Sequence, residues 1–334
     1  MIRRIRAGVL LLLVAGAFSA SVWAAVFSAG AWAQAYPTRP IRLIVPFPPS
    51  GTTDLLARPV ARQIETQLGR TFVVDNRTGA NGLVGAETVS HAAGDGYTML
   101  WTTASIVISQ AINPRFPIDV LRDLEPVSLV ASGAGYFVLV HPGLNVRTVK
   151  ELIALSKARD KPLTYGTPGV GNGQHLAGEL FNQLAGTQLL HVPYKGIPQQ
   201  INALISREID VLLIPPTASI NYVKDGRLRP IAFAAPTRWA MMPELPTVAE
   251  AGVPDFKPEP GWHGWFLPPK TPRRIVALVN DEIRKAAQTP KLRESFLGLG
   301  YTIVASTPEE FRAKIASELK RYVEVARAAN IKVE

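Results

Sequence analysis

Between residues 41 and 102, three short β-branched runs alternate with two stretches that carry apolar residues at helical spacing. No other feature limits the possible folds as tightly. IRLIV at 41–45, bounded by Pro40 and Pro46, reads as a buried strand, and residues 55–68 read as a helix stopped by Gly69. A strand at 71–75, a helix at 82–91 and a strand at 97–102 follow. Parallel neighbours need a crossover connection, so this order predicts a mostly parallel sheet with helices on both faces. The pattern resumes with strands at 127–131 and 136–140, a helix at 149–157, and a strand at 163–166 that enters a glycine-rich loop. A helix at 175–184, a strand at 188–192, a helix at 198–206 and strands at 211–214 and 230–234 complete this second unit. Residues 235–269 are proline-rich and read as a long ordered connection. Helices at 272–288 and 308–329 then flank a short strand at 301–304. Two α/β units with a helical tail predict an α/β fold of two lobes. Residues 36–135 with 236–334 would form one lobe and 136–235 the other, with a cleft between them where strands lead into helices.

The chain begins with Arg3, Arg4 and Arg6. An uncharged run from Ala7 to Ala33 follows, ending in small-x-small sites at Ala31-Trp32-Ala33 and Ala33-Gln34-Ala35. This is the three-part layout of a secretory signal peptide spanning residues 1–35. An uncleaved anchor is the rival reading, since the run is long enough to cross ~30 Å of hydrocarbon. Ser19, Ser21 and Ser28 interrupt its apolar character and favour cleavage. Losing the three arginines lowers the formal charge from +10 to +7. The remaining basic residues are scattered among acidic ones, without the basic stripe and interleaved aromatics of a nucleic-acid surface. Pairs such as Arg58 and Arg62 read as a solvated helix face. The chain has no cysteine. That excludes disulfides, thiolate metal sites, iron-sulfur clusters and a cysteine nucleophile.

Two strand-to-helix loops stand out. PFPPSGTTD, from Pro46 to Asp54, combines a glycine that allows close backbone approach with Thr52, Thr53 or Asp54 as candidate caps. A helix start of this kind can hold an anion through its free N–H groups, or it can be a plain capped turn. GTPGVGNGQH, from Gly166 to His175, spaces four glycines so that several N–H groups can converge on an anion. It is no P-loop, because Asn172 and Gly173 stand where Lys and Ser or Thr are needed. It fails the dinucleotide fingerprint at Gln174. The histidines form no H-E-x-x-H motif, and there is no G-x-S-x-G elbow. His175 and Glu179 read as a surface pair, and Trp101, Trp262 and Trp265 as packing residues. No catalytic residue, metal ligand or cofactor is assigned. A hydrolase with its triad scattered along the chain stays open as an alternative.

Six segments occur in order: YPTRPIRLIVPFPPSGTTD, GDGYTML, TVKELIALSKA, YGTPGVGNGQHLAGELF, HVPYKG and LPTVAEAGVPDF. Together they resemble the extracytoplasmic solute receptors of tripartite tricarboxylate transporters, the Bug-type receptors, from Tyr36 to the carboxyl terminus. The resemblance implies a type II-like periplasmic-binding-protein fold that closes on a small organic carboxylate and delivers it to the subunits of a membrane permease. It also implies a periplasmic, monomeric, non-enzymatic protein without cofactor. A ligand-presenting sensor for a kinase is a further alternative. Carried over by position, the ligand-binding residues are Phe47, Ser50, Gly51, Thr52 and Thr53 in the first loop. In the second they are Thr167, Gly169, Val170, Gly171 and Asn172. Three positions depart from the family pattern: Ser50 and Ile197 replace common glycines, and Ile214 stands where an acidic residue is common. An acidic group near the cleft would suit an ammonium, so its absence points toward plain or aromatic carboxylates.

Overall fold

The computed structural model describes residues 36–256, 258 and 260–328, and the expected signal segment lies outside them. β1 (Ile41–Val45), β2 (Phe72–Asn76), β3 (Thr98–Thr103), β4 (Glu125–Gly133), β10 (Trp262–Leu267) and β11 (Tyr301–Ile303) form a six-stranded sheet in the order β11-β4-β10-β3-β1-β2. β5 (Tyr136–Val140), β6 (Thr164–Thr167), β7 (Leu190–Pro193), β8 (Val211–Ile214) and β9 (Arg229–Ala234) form a five-stranded sheet in the order β7-β6-β8-β5-β9.

Both sheets are mixed rather than mostly parallel, and the cause is topological. β1 to β4 run one way, but β10 is inserted antiparallel between β3 and β4, and β11 pairs antiparallel at the edge. β6 to β9 likewise run one way with β5 inserted antiparallel between β8 and β9. The inserted strand is in each case the one by which the chain enters that sheet from the other. Two lobes built this way are tied together at their centres rather than joined end to end.

The first lobe carries α1 (Thr52–Leu68), α2 (Leu83–Ser90), α3 (Ser105–Ile112) and the single turn α4 (Val120–Asp123). The second carries α5 (Val149–Ala158), α6 (Gly173–Ala185), α7 (Ile197–Ile205) and α8 (Pro216–Lys224). α9 (Arg273–Ala286), α10 (Pro290–Gly298) and α11 (Pro308–Ala328) return to the first. Local chemistry fixes several ends. Gly69 closes α1 in a left-handed conformation, with its N–H donating to the Glu65 carbonyl. Thr148 and Glu151 form a reciprocal capping box at α5.

The first core centres on β1, buried except at Arg42, and on Trp101, Trp265 and Phe266. Trp101 and Trp265 face each other in register across β3 and β10, with an edge-to-face separation of 5.8 Å. α11 covers this sheet through Phe311, which meets Trp262 at 5.1 Å. In the second lobe, Phe137, Phe233 and Trp239 pack together. Leu245, Val248, Val253 and Phe256 belong to the same lobe's cores. Residues 236–256, grouped by sequence with the first lobe, therefore pack on the second. The chain crosses back only just before β10.

Candidate functional site

The lobes meet at a back and a mouth. At the back, where the two crossing segments leave the first sheet, the Gly133 N–H donates to the Gly261 carbonyl at 2.7 Å and the Ala134 N–H to the Gly300 carbonyl at 2.8 Å, continuing the pairing of β4 with β10 and β11. The Thr217 hydroxyl donates to the Leu299 carbonyl at 2.5 Å. At the mouth, the Asn81 side-chain amide donates to the Val170 and Gly171 carbonyls at 3.3 and 3.2 Å and to Ser109 Oγ at 3.0 Å. Residues 79–82 hold Asn81 there with four consecutive positive φ angles. These are sparsely populated conformations for Ala80 and Asn81, and backbone strain of this kind clusters at clamps and functional loops.

In the first loop, Gly51 rather than a side chain occupies the N-cap position of α1, and no side chain caps it. Among the described residues, the first helical amides at Thr52 and Thr53 have no protein partner. They are left at the positive end of a 17-residue helix. Asp54, a candidate cap by sequence, is instead the third residue of the helix, within its first turn. Its carboxylate accepts from the Ser50 N–H at 3.0 Å, from Asn76 at 3.0 Å and from Arg58 at 2.8–2.9 Å. Burial alone would raise this carboxyl, but the bonds from Arg58, Asn76 and Ser50 outweigh it and hold it below the usual carboxylate value. Asp54 thus shapes the loop and is neutralised by Arg58, which leaves the helix start electropositive. Ser50 takes the left-handed φ of 62° that a glycine would adopt freely.

The second loop is less open than its glycines suggest. The Gly169 N–H donates to Thr167 Oγ1 at 3.3 Å and the Gly171 N–H to His175 Nδ1 at 3.1 Å. Asn172 Oδ1 caps α6 by accepting from the Gln174 and His175 amides at 2.9 and 3.0 Å. Its Nδ2 donates to the Gly169 carbonyl. The amides of Val170, Asn172 and Gly173 are the ones left without a protein partner among the described residues. Beneath the loop, the rings of His175 and His191 stack at 4.0 Å, and His191 Nε2 lies 2.6 Å from Thr167 Oγ1. Burial pushes both imidazoles down to about 4, so they are neutral at ordinary pH. Tyr165 donates to Glu179 Oε1 at 2.6 Å on the far side of His175. His175 and Glu179, read as a surface pair from sequence, thus belong to a half-buried network that stiffens the loop.

Two adjoining cavities lie between the lobes, with Phe47 and Pro168 lining both. The inner one, about 90 Å³, is lined by the expected residues Phe47, Gly51, Thr52, Thr53 and Asn172. It is also lined by Ser105, Tyr136, Gln174, Ile197, Trp262, His263 and Tyr301, which sequence reasoning did not assign to the site. The outer one, about 610 Å³, takes in Gly169 and Val170. Ser50, Thr167 and Gly171 line neither and act on the shape of the loops. Among the described residues, the inner lining holds no Lys, Arg, Asp or Glu. It does hold three buried polar atoms without a partner: Thr52 Oγ1, Gln174 Oε1 and His263 Nδ1. His263 reaches Thr53 Oγ1 at 3.3 Å through its other nitrogen, and burial lowers its pKa to about 3. Among the described residues, neither hydroxyl–imidazole pair, Thr53–His263 or Thr167–His191, has a carboxylate hydrogen-bonded to the second ring nitrogen. The third member of a hydrolytic triad is missing from both. No group of three or more metal-ligating side chains occurs among the described residues.

Ile214 does not face either cavity. It is fully buried beside Phe137, in register across β5 and β8, and the neighbouring Pro215 lines the inner cavity instead. Its lack of charge therefore says nothing about the ligand, whereas Ile197, another departure from the family pattern, is in the wall.

Residues 56–331 match the family described as tripartite tricarboxylate transporter family receptor. Protein BugT of Bordetella pertussis is 35% identical over 304 residues, spanning 90% of this chain and 93% of BugT. Among solved structures, R. palustris Rpa4515 with adipate superposes with a TM-score of 0.85 at 30% identity, over 89% of this chain and 99% of that one. The periplasmic binding protein BugD gives 0.84 at 27% identity, over 90% and 100%. With a match over most of its length and a two-lobed fold shared with these proteins, the chain belongs to the receptor family of tripartite tricarboxylate transporters.

Proposed function

We propose that the protein is a periplasmic receptor whose lobes, residues 39–133 with 262–328 and residues 136–256, close on a small organic carboxylate. The closed form then presents it to the membrane subunits of a tripartite permease. The carboxylate sits in the inner cavity. There the free amides of Thr52 and Thr53 meet it from one lobe, and those of Asn172 and Gly173 from the other. One observation carries this reading: an interlobe cavity with an uncapped helix start, unpartnered buried polar atoms and, among the described residues, no charged side chain. Neutral dipoles in a low-dielectric cleft stabilise an anion without the desolvation cost of a buried lysine or arginine. The adipate bound by Rpa4515 is in keeping with such a ligand. Export through residues 1–35 and action as a monomer belong to the same proposal. Among the described residues, no helix is long and apolar enough to cross a membrane.

A thermal-shift screen of residues 36–334 against mono-, di- and tricarboxylates, aromatic acids and amino acids tests it. A ligand at about 100 times its dissociation constant stabilises the fold by ~2.7 kcal/mol. A carboxylate returned unchanged after raising the midpoint supports the reading. Silence from every acid, or turnover of an ester or amide, overturns it.

A further inference from the structure

The outer cavity differs from the inner one in size and in chemistry. Its volume of about 610 Å³ falls in the range of whole-ligand pockets, whereas the inner 90 Å³ has room for a carboxyl group and a water or two. Its apolar walls come from both lobes: Phe47, Leu83, Ile112 and Phe116 from the first, Val170 from the second. Among the described residues, Lys195 is the one Lys, Arg, Asp or Glu in the lining of either cavity. It is exposed and forms no ion pair among the described residues. An ammonium without a counter-ion, beside apolar walls that adjoin an anion-binding helix start, describes a receptor for a molecule charged at both ends.

Building on the carboxylate-receptor reading, we propose that the outer cavity and Lys195 form a distal subsite that selects dicarboxylates with an apolar spacer, aliphatic or aromatic. One carboxylate occupies the inner cavity on the Thr52 and Thr53 amides. The spacer passes Phe47 and Pro168 and fills the outer chamber. The second carboxylate meets Lys195 near solvent, where the ammonium needs little desolvation. A monocarboxylate of equal length buries the same apolar surface but leaves Lys195 unpaired.

Calorimetry at low salt on matched pairs tests the subsite: glutarate against valerate, pimelate against heptanoate, and terephthalate against 4-methylbenzoate. The unaltered chain is expected to prefer the diacid in at least one pair by roughly tenfold. Lys195→Met should remove that preference while leaving the monoacid within about twofold, Lys195→Arg should keep it, and Lys195→Glu should reverse it. Increasing salt should shrink the preference, as expected of an exposed pair. Monoacids bound as tightly as diacids, or a Lys195→Met loss of equal size for both, overturn the subsite and leave the receptor reading standing. If none of these acids and none of the screened carboxylates binds, both fall.

Discussion

Gly171→Ala separates two ways in which the glycine-rich loop could matter. From sequence, Gly171 is expected to expose its N–H to the anion, so that any side chain would block the approach. In the structure that N–H is taken by His175, and a Cβ at Gly171 would instead lie 2.1 Å from Ile112 Cδ1 and 3.3 Å from its Cγ1, across the mouth of the cleft. The left-handed φ of 72° costs alanine about 1–2 kcal/mol, but that cost is shared by open and closed forms and cancels in the binding equilibrium. The clash exists only when the lobes meet. Ile112 is 9% exposed and packed in the first core, so it can yield only by leaving a favoured rotamer or shifting its helix. Overpacking of this kind costs about 1–3 kcal/mol, which predicts affinity lowered roughly 5- to 150-fold for whichever acid scores in the thermal screen. Ile112→Ala should relieve it: the double variant should bind within about threefold of Ile112→Ala alone, a coupling readable in a double-mutant cycle by calorimetry. Unchanged affinity in Gly171→Ala, or a loss that Ile112→Ala does not relieve, refutes closure as the step that Gly171 protects.

Asn81→Ala should weaken ligand binding about threefold to tenfold, because its bonds to the Val170 and Gly171 carbonyls form only on closure, and should also lower the ligand-free melting point, because its bond to Ser109 Oγ and its left-handed φ of 53° belong to the first lobe alone; unchanged affinity would show that the interlobe bonds do not hold the closed form. Ile214→Asp should abolish soluble folding, since it buries a carboxylate beside Phe137 without a partner; a folded variant that gains affinity for amino acids would place position 214 in the cleft after all. Acid should destabilise the fold through its buried imidazoles. The pKa of His175 falls from 6.5 to about 4 on folding, so the unfolded chain binds more protons between those values and stability rises with pH across that window. At about 1.4 kcal/mol per pKa unit, the loss on acidification is on the order of 3 kcal/mol for this residue. Urea midpoints at pH 7 and 4.5 should show it, and His175→Gln should flatten the slope; an unchanged slope would contradict the assignment.

What sequence revealed and what it hid divide along one physical line. β1, β5 and β8 are legible to the residue because they are short apolar runs, buried throughout in β5 and β8 and at every position but Arg42 in β1, for which composition suffices. The two loops are legible because proline and glycine punctuate them. β10 is hidden in a proline-rich connection: WHGWFL carries no β-branched residue and becomes a strand only through its neighbours on either side, β3 and β4. α3 is hidden for the opposite reason, since SIVISQAI reads locally as a strand and is helical because it packs under α11. α8 and α10 carried a usable sign, a proline in the first turn after a terminating strand or loop. In the site, the backbone contributions of the first loop follow from local chemistry. Gln174 and Lys195 lie in segments that the sequence singles out, GTPGVGNGQH and HVPYKG, but nothing local aims them at the cleft, and His263 and Tyr136 arrive from distant segments that no local pattern marks.

The sparse interlobe bonding sets what a ligand must do. Among the described residues, side-chain hydrogen bonds join the lobes only at Thr217 and Asn81, and no ion pair crosses between them. At about 0.5–1.5 kcal/mol each, the Asn81 bonds at the mouth are too weak to hold the cleft closed against water. Moving the balance from mostly open to mostly closed takes ~5.5 kcal/mol of differential affinity, and an acid that touched one lobe alone would supply none of it. The proposed site meets this requirement, because a single carboxylate between Thr52 and Thr53 on one wall and Asn172 and Gly173 on the other would have two oxygens to share. A diacid reaching Lys195 adds a further second-lobe contact. Closure, and with it any surface that a permease recognises, should therefore follow the number of lobes that the ligand bridges rather than the strength of any one contact.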